Sequence, residues 1–156
     1  LRSCVSAPAS ITIFSKSYKP TFLAASLFSL GSNPRKVRVF SPEDAFKILQ
    51  MKAADLINIK LMKCGGIYNA LKIISMAEVL GVECMIGCML EAKVSVNAAV
   101  HLACAKQIIT KIDLDGPVLC SEDPVVGGAI FNEKEIIVSD DYGLGIKAIN
   151  GIKYID

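Results

Sequence analysis

A lysine and several carboxylates stand where the apolar runs of this sequence end. Lys60 closes one run, a turn at residues 88–91 that contains cysteine and glutamate follows a second, and Asp113 and Asp115 follow a third. A lysine at the end of a buried strand can act as a general base, because partial desolvation favours its neutral form. Carboxylates beside it would hold an ammonium group through charge-assisted hydrogen bonds. The residue types therefore predict proton transfer on a substrate that carries an amine.

Each of these groups also has a purely structural explanation. Lys60 could pack its stem on a core strand while its ammonium reaches water. Asp113 and Asp115 could simply begin the turn that follows them, and Glu91 could be an acid that favours the N-terminus of a helix. Spacing alone favours the structural explanation for Lys60 and for the two aspartates, and leaves both explanations open for Glu91.

Helical patterns separate the apolar runs. Ser41 as N-cap, Pro42 after it and two acids in the first turn predict a helix that ends near Ala53. The patterns that follow predict strands at 56–60, 82–89 and 108–114, with helices at 67–80 and 94–106 between them. Strands that alternate with helices of about ten to fifteen residues are typical of parallel β/α units.

In a parallel barrel the carboxyl ends of the strands open on one face. We therefore expect Lys60, Cys88 and Asp113 at the same rim, although they are far apart in sequence. After Pro117 the alternation stops, and glycines and prolines punctuate short stretches such as the strand predicted at 135–139. This part is predicted to be a tail that packs outside the repeat.

The N-terminal part has a different composition. Residues 1–42 contain no Asp or Glu, six Lys or Arg and many serines. Such a segment resembles an organelle transit peptide, although a non-native stretch would look similar. The apolar stretch at 22–30 fits a helix or a strand equally well.

Composition argues against several functional classes. The net charge of +2 is too small to indicate binding of nucleic acid or an anionic membrane, and no apolar run reaches the length of about 18 residues that spans a bilayer. The six cysteines form no Cys-x-x-Cys pair and there is one histidine, which argues against zinc. The cysteines lie mostly in apolar patterns, which predicts reduced core thiols and a cytoplasmic chain, or an organellar one if a transit peptide is present.

Four stretches, taken together, resemble the C-terminal half of the dipeptide epimerases, in the mandelate racemase and muconate-lactonising branch of the enolase superfamily. They are residues 40–45 (FSPEDA), 58–66 (NIKLMKCGG), 86–91 (IGCMLE) and 113–117 (DLDGP). The resemblance implies an α/β fold, the C-terminal part of a modified (β/α) TIM barrel that is incomplete here. It divides the chain into an unmatched segment 1–38, barrel units 39–117 and a tail 118–156 that would return to a capping domain.

The resemblance also implies roles for the site residues. Lys60 matches the lysine on the sixth barrel strand, one of two acid/base lysines that face opposite sides of the substrate α-carbon. Asp113 and Asp115 match the pair that binds the α-ammonium group of a dipeptide, and Cys88 and Leu90 match positions that line the substrate pocket. The implied activity is that of an isomerase: a magnesium-dependent epimerase or racemase of L-Ala-D/L-Glu-like dipeptides, which transfers protons at one carbon through an enolate.

The sequence departs from the family pattern in its first part. The family's second lysine, and the magnesium-binding Asp and Glu of strands three and four, have no counterpart. Lys36-Val37-Arg38 stands where the family carries Asp-Glu-Ser, whose aspartate is the third metal ligand. Two hypotheses therefore stay open: part of an epimerase that is inactive alone, or a non-catalytic half barrel that persists as a fold fragment or an assembly partner. A half barrel leaves strand edges unpaired, and such edges favour association with other chains. The sequence therefore predicts self-association, with a homo-oligomer as a possible form.

Overall fold

The computed structural model describes residues 10–12, 34–132 and 135–153, in which strands and helices alternate. The predicted element at 22–30 lies outside these residues. In chain order the elements are β1 (Ser10–Thr12), β2 (Lys36–Arg38), α1 (Pro42–Gln50), β3 (Leu56–Lys60), α2 (Leu61–Cys64), α3 (Ile67–Leu80), β4 (Glu83–Gly87), α4 (Lys93–Ala105), β5 (Ile109–Asp113), β6 (Val125–Gly127), β7 (Ile130–Phe131), β8 (Glu135–Ile137) and β9 (Ile146–Ile149).

The centre of the fold is a four-stranded sheet in the order β2-β3-β4-β5. Each neighbouring pair of strands is parallel. Helices α1, α3 and α4 lie on the connections between successive strands, which is the β/α repeat that the sequence predicts. The fold is α/β, a run of consecutive units of an incomplete barrel.

A side-chain cap marks the start of α1, and residues with a positive φ mark the ends of α1 and α3. The Ser41 hydroxyl accepts a hydrogen bond from the Asp44 N–H at 3.1 Å and caps α1. This helix ends before the predicted Ala53 because Lys52 adopts a positive φ of 51°. Helix α3 has the predicted bounds, and Gly81 ends it at φ 66°. No helix in the described part of the chain is long and apolar enough to cross a membrane.

One hydrophobic core lies between the sheet and the helices. The predicted inner face of α3 is fully buried there, as are the isoleucines of the neighbouring strands. Burial of such a side chain contributes about 1.5–3 kcal/mol. This core covers one face of the sheet, the outer face of the barrel segment. The alternate residues of each strand therefore lie on the opposite face, called the concave face below. The buried residues of α3 are Ala70, Ile73, Ile74 and Ala77, and those of the strands include Ile57, Ile59 and Ile86.

Three elements around the central sheet differ from the sequence predictions. Strand β2 lies in the segment assigned to residues 1–38 and was not predicted, because Lys36–Arg38 contains one apolar residue and shows no period. Residues Leu61–Cys64 form the short helix α2 where only a turn was predicted, and Gly65 ends it in the left-handed region. Strand β4 is also shorter than the predicted 82–89, since the chain bends after Gly87.

The tail packs against α4 through Asn97. This side chain is fully buried, and its Oδ1 accepts a hydrogen bond from the Ala129 N–H at 3.0 Å. The strands of the tail form two antiparallel groups, β7-β8 and β6-β9, and β1 from the N-terminal segment pairs with β8. The strand predicted at 135–139 is β8, which ends at Ile137.

The described cysteines are free thiols, most of them inside the fold. Cys64, Cys84 and Cys88 are buried, Cys104 is half-buried and Cys120 is exposed. Burial is the main cause that raises the pKa of Cys84 to about 12, so this thiol stays protonated at neutral pH. The three buried thiols agree with the prediction that most cysteines lie in the core, whereas Cys120 lies at the surface.

Candidate active site

Lys60 lies at the carboxyl end of β3, between a buried strand and the start of α2. Its ammonium donates a hydrogen bond to the carbonyl oxygen of Cys88 at 2.5 Å. In the sheet, Lys60 pairs with Gly87 of β4, and Gly87 pairs with Asp113 of β5. The lysine and the aspartate therefore lie at the same end of the sheet, on either side of a glycine.

Gly87 leaves the space that the Lys60 side chain uses. A Cβ atom at this position would lie 3.3 Å from Lys60 Cε and 3.3 Å from Asn58 Oδ1. Both side chains thus lie over β4 on the same concave face. Neither Gly87 nor Asn58 was identified from the sequence. A glycine inside a predicted strand is a signal of close approach, and Asn58 lies two residues before Lys60, on the same face of the strand.

Asp113 and Asp115 present their carboxylates on one side of the chain. Both residues are exposed, whereas Leu114 between them is fully buried. The Cys88 thiol points at Asp115 Oδ1 with a separation of 3.9 Å. The carboxyl ends of β4 and β5 therefore bring the predicted pocket cysteine into contact with the predicted ammonium-binding pair.

The electrostatics around Cys88 show how the carboxylates converge. Burial raises the pKa of the thiol, and the Gly116 N–H, which donates to Sγ at 3.4 Å, opposes this. The charges of Asp115, Glu91 and Asp113 each raise the pKa further. The negative charge of these carboxylates makes this end of the sheet favourable for a cation such as an ammonium group.

Glu91 has a structural role in the turn after β4. Its carboxylate accepts hydrogen bonds from the Met89 N–H, at 2.8 Å, and from the Ser95 hydroxyl in the first turn of α4. These contacts fix the path from the strand to the helix. Leu90, at the tip of the turn, is 79% exposed.

A groove of about 830 Å³ lies elsewhere, on the helical side of the sheet. Residues of α1 and α3, among them Phe46, Tyr68 and Leu71, line it. It contains none of the predicted site residues. The polar groups at the carboxyl ends of the strands are therefore the better candidate site, since this is where barrel enzymes place their chemistry.

Together, the fold and the candidate site define a segment of a (β/α) barrel with its polar groups at the carboxyl ends of parallel strands. Residues 37–150 match the family described as enolase C-terminal domain-like, and the chain belongs to this family. The predicted resemblance to the C-terminal part of the dipeptide epimerases is confirmed by individual relatives.

Three proteins illustrate this similarity. The L-Ala-D/L-Glu epimerase of Clostridium acetobutylicum is 69% identical over 112 residues, which are 72% of this chain and 31% of that protein. The substrate-liganded L-Ala-D/L-Glu epimerase from Bacillus subtilis superposes with a TM-score of 0.74 at 45% identity, over 76% of this chain and 34% of that one. The dipeptide epimerase from Methylococcus capsulatus, complexed with Mg and the dipeptide L-Arg-D-Lys, has a TM-score of 0.68 at 37% identity, over 71% and 32%. The chain spans about a third of the length of these relatives.

Magnesium, which the family implies, does not fit the donor groups present. Within the described residues no group of three or more His, Cys, Asp or Glu side chains could hold a metal. Residues 1–42 contain no carboxylate side chain, and protein-bound Mg²⁺ prefers carboxylate oxygens. At the sequence position of the third ligand, β2 instead carries Lys36, with Arg38 two residues further on.

Proposed function

We propose that this chain carries part of the active site of a dipeptide epimerase or racemase, an isomerase that transfers protons at one α-carbon. The proposal rests on one observation: Lys60, Gly87 and Asp113 are paired in register across three adjacent strands and form a row at one end of the sheet. Two strand spacings separate the Cα atoms of Lys60 and Asp113 by about 10 Å. Two residues of extended peptide span about 7 Å, so a dipeptide is of the length needed to contact both side chains.

In this arrangement each residue has a separate task. Asp113 and Asp115 hold the α-ammonium group of the dipeptide by charge-assisted hydrogen bonds. Lys60 exchanges a proton with the α-carbon, and the Cys88 carbonyl, which accepts its hydrogen bond, orients the ammonium. The Cys88 thiol, uncharged because burial raises its pKa, and Leu90 line the pocket. Bound magnesium would supply positive charge to an enolate in such enzymes, but the donor groups present do not fit it.

We further infer that the 156-residue chain does not epimerise dipeptides at a measurable rate by itself. Inversion requires an acid or base on each face of the α-carbon, and Lys60 supplies one face. General acid–base catalysis contributes about 10²–10⁴-fold, and the stabilisation of the developing oxyanion is usually a larger contribution. The acid-free N-terminal segment also supports the alternative, a non-catalytic half barrel that persists as a fold fragment or an assembly partner.

Binding of L-Ala-L-Glu tests the assigned residues. We expect chemical-shift changes in the ¹⁵N-labelled chain at the carboxyl ends of β3, β4 and β5. Asp113→Asn should weaken binding about tenfold or more, because a hydrogen bond to a charged group contributes about 1.5–3 kcal/mol. Asp140→Asn, which removes the same charge from an exposed position in the tail, is the matched control. Equal affinity of the two variants would refute the assignment.

A further inference from the structure

A buried acceptor without a donor lies beside Lys60 on the concave face. Asn58 is 5% exposed, and its Oδ1 has no hydrogen-bond partner among the described residues. Asn58 pairs in register with Met85, yet its Oδ1 lies 3.3 Å from the point that a Cβ of Gly87 would occupy, nearer the carboxyl end of β4. The amide is therefore directed towards the end of the sheet that carries the proposed site. A buried polar atom without a partner destabilises a fold, and proteins depart from such rules mainly at functional sites.

The Lys60 ammonium has N–H donors to spare at the same place. An ammonium carries three N–H groups, and within the described part of the chain the Cys88 carbonyl is the one acceptor bonded to it. None of the ion pairs among the described residues includes Lys60. Lys60 Cε also lies 3.3 Å from the Cβ point of Gly87, so Cε and Asn58 Oδ1 are separated by no more than twice that distance. The flexible lysine stem can therefore carry the ammonium to this oxygen.

The hydrogen bond to the Cys88 carbonyl holds the Lys60 ammonium close to the carboxylates of the proposed site. The thiol of the same cysteine points at Asp115 Oδ1 with a separation of 3.9 Å, and the charge of Asp113 also acts on this thiol. A ligand whose ammonium binds at Asp113 and Asp115 would therefore place a second positive charge beside that of Lys60. Like charges repel, and more strongly where water is excluded. The lysine thus needs another acceptor when such a ligand binds.

We propose that Asn58 is a positioning residue for Lys60: its Oδ1 accepts a hydrogen bond from the Lys60 ammonium when a ligand ammonium binds at the carboxyl end of β5. The free chain holds the lysine on the Cys88 carbonyl, and the liganded chain holds it on Asn58. Gly87 has no side chain to separate the two acceptors, since its Cβ would lie against both Lys60 and Asn58. The choice of a dipeptide as the ligand rests on the proposed function, whereas the movement of Lys60 requires only an ammonium group.

NMR of the full chain with and without L-Ala-L-Glu tests the movement. The chain is labelled with ¹³C at the lysine ε-carbons and with ¹⁵N, and the Lys60 signal is the one that Lys60→Met removes. We expect the nuclear Overhauser effect between the Lys60 ε-protons and the Asn58 side-chain amide protons to strengthen on saturation with the dipeptide. An effect that saturating dipeptide leaves unchanged would overturn the proposal while leaving the proposed function intact.

Affinity measured by calorimetry tests whether Asn58 acts through Lys60. Asn58→Leu removes the acceptor at similar volume and should weaken binding of L-Ala-L-Glu about tenfold, because a hydrogen bond to a charged group is lost. Asn58→Asp supplies a carboxylate oxygen at the same position and should restore the affinity. In a Lys60→Met background, Asn58→Leu should leave the affinity unchanged. A tenfold loss that persists in that background would overturn the proposal, since Asn58 would then contact the ligand itself.

The other buried asparagine provides a matched control. Asn97 is fully buried, and its Oδ1 already accepts a hydrogen bond from the Ala129 N–H. Asn97→Leu should therefore lower the stability against urea and leave the affinity unchanged. Asn58→Leu should show the reverse, with stability equal to or above that of the parent, because an unpaired polar atom leaves the core. Equal effects of the two variants on affinity would overturn the proposal.

A second ligand separates failure of the movement from failure of the function. L-Alaninamide has an α-ammonium group but no second residue, so it requires only the carboxylates and the movement of Lys60. A nuclear Overhauser effect that L-alaninamide strengthens, without any binding of the dipeptide, would support the proposal and count against the dipeptide function. Absence of binding by both ligands, in a chain whose circular dichroism shows it folded, would reject both.

Discussion

At the scale of single residues, the site depends on what surrounds Lys60. Gly87 provides the space in which the lysine stem crosses β4, and the Cys88 carbonyl fixes its ammonium. Lys60, Asp113 and Asp115 are found from sequence because each stands where an apolar run ends. Gly87 owes its role to the pairing of β3 with β4, and no local pattern encodes that pairing.

Gly87→Ala is expected to disturb the site without unfolding the chain. The added methyl group would lie 3.3 Å from Lys60 Cε and 3.3 Å from Asn58 Oδ1, so both side chains must move. We expect binding of L-Ala-L-Glu to weaken about tenfold, because small displacements of positioned groups are costly. The free energy of unfolding should change by less than about 1 kcal/mol.

Gly81→Ala is the matched control, with the opposite expected profile. Gly81 has φ 66° and no atom within 4 Å of a Cβ. Alanine there should cost about 1–2 kcal/mol of stability and leave ligand binding unchanged. If Gly87→Ala binds the dipeptide as tightly as Gly81→Ala does, the assigned role of Gly87 is wrong.

At the scale of elements, long periodic segments are predictable and short ones are not. Helix α3 and strand β3 have the predicted bounds, because each has a clear apolar face or run and a glycine near its end. Strand β2 has three residues, and only its pairing with β3 makes it a strand.

The docking of the tail on α4 should depend on Gly128. This glycine has φ 77°, and a Cβ there would collide with the amide of Asn97. Gly128→Ala should therefore break the hydrogen bond from Ala129 to Asn97 and lower the free energy of unfolding by about 3 kcal/mol. Gly143→Ala, at φ 64° in open space, should cost about 1–2 kcal/mol. Urea denaturation measures both, and equal losses would contradict the docking role of Asn97.

The ion pair between β4 and β5 predicts a dependence of stability on pH. The hydrogen bond from Lys111 is the main cause that lowers the pKa of Glu83 in the folded chain. Its stabilisation is therefore present above the unfolded pKa of about 4.3 and lost as pH falls through the lowered folded value. Both side chains are partly exposed, at 40% and 51%, so the contribution is below about 1 kcal/mol.

Lys111→Met tests this by urea denaturation across acidic pH. The variant should be less stable than the parent near pH 7, and this deficit should shrink as the pH falls towards 3 and Glu83 becomes protonated. Lys153→Met, at an exposed position, should show no such change with pH. A deficit in Lys111→Met that persists undiminished at pH 3 would argue against an electrostatic origin.

At the scale of the whole molecule, the described sheet is a portion of a barrel. Strands β2 and β5 each have one neighbour among the described strands. Unpaired edges favour association with other chains, so formation of a homo-oligomer stays a prediction. The chain belongs to the enolase C-terminal domain-like family, but among its described residues no group of three or more His, Cys, Asp or Glu side chains could hold a metal. Family membership and activity of this chain are therefore separate questions.

Deuterium exchange at the α-carbons of L-Ala-L-Glu in D₂O, followed by NMR with excess magnesium, tests this distinction most directly. We predict no exchange above the uncatalysed background, because Lys60 alone cannot form and stabilise the enolate at a useful rate. Lys60→Ala is the control. Exchange above background that disappears in Lys60→Ala would contradict the account, since it would mean that the chain supplies the charge and the second proton carrier that its sequence does not reveal.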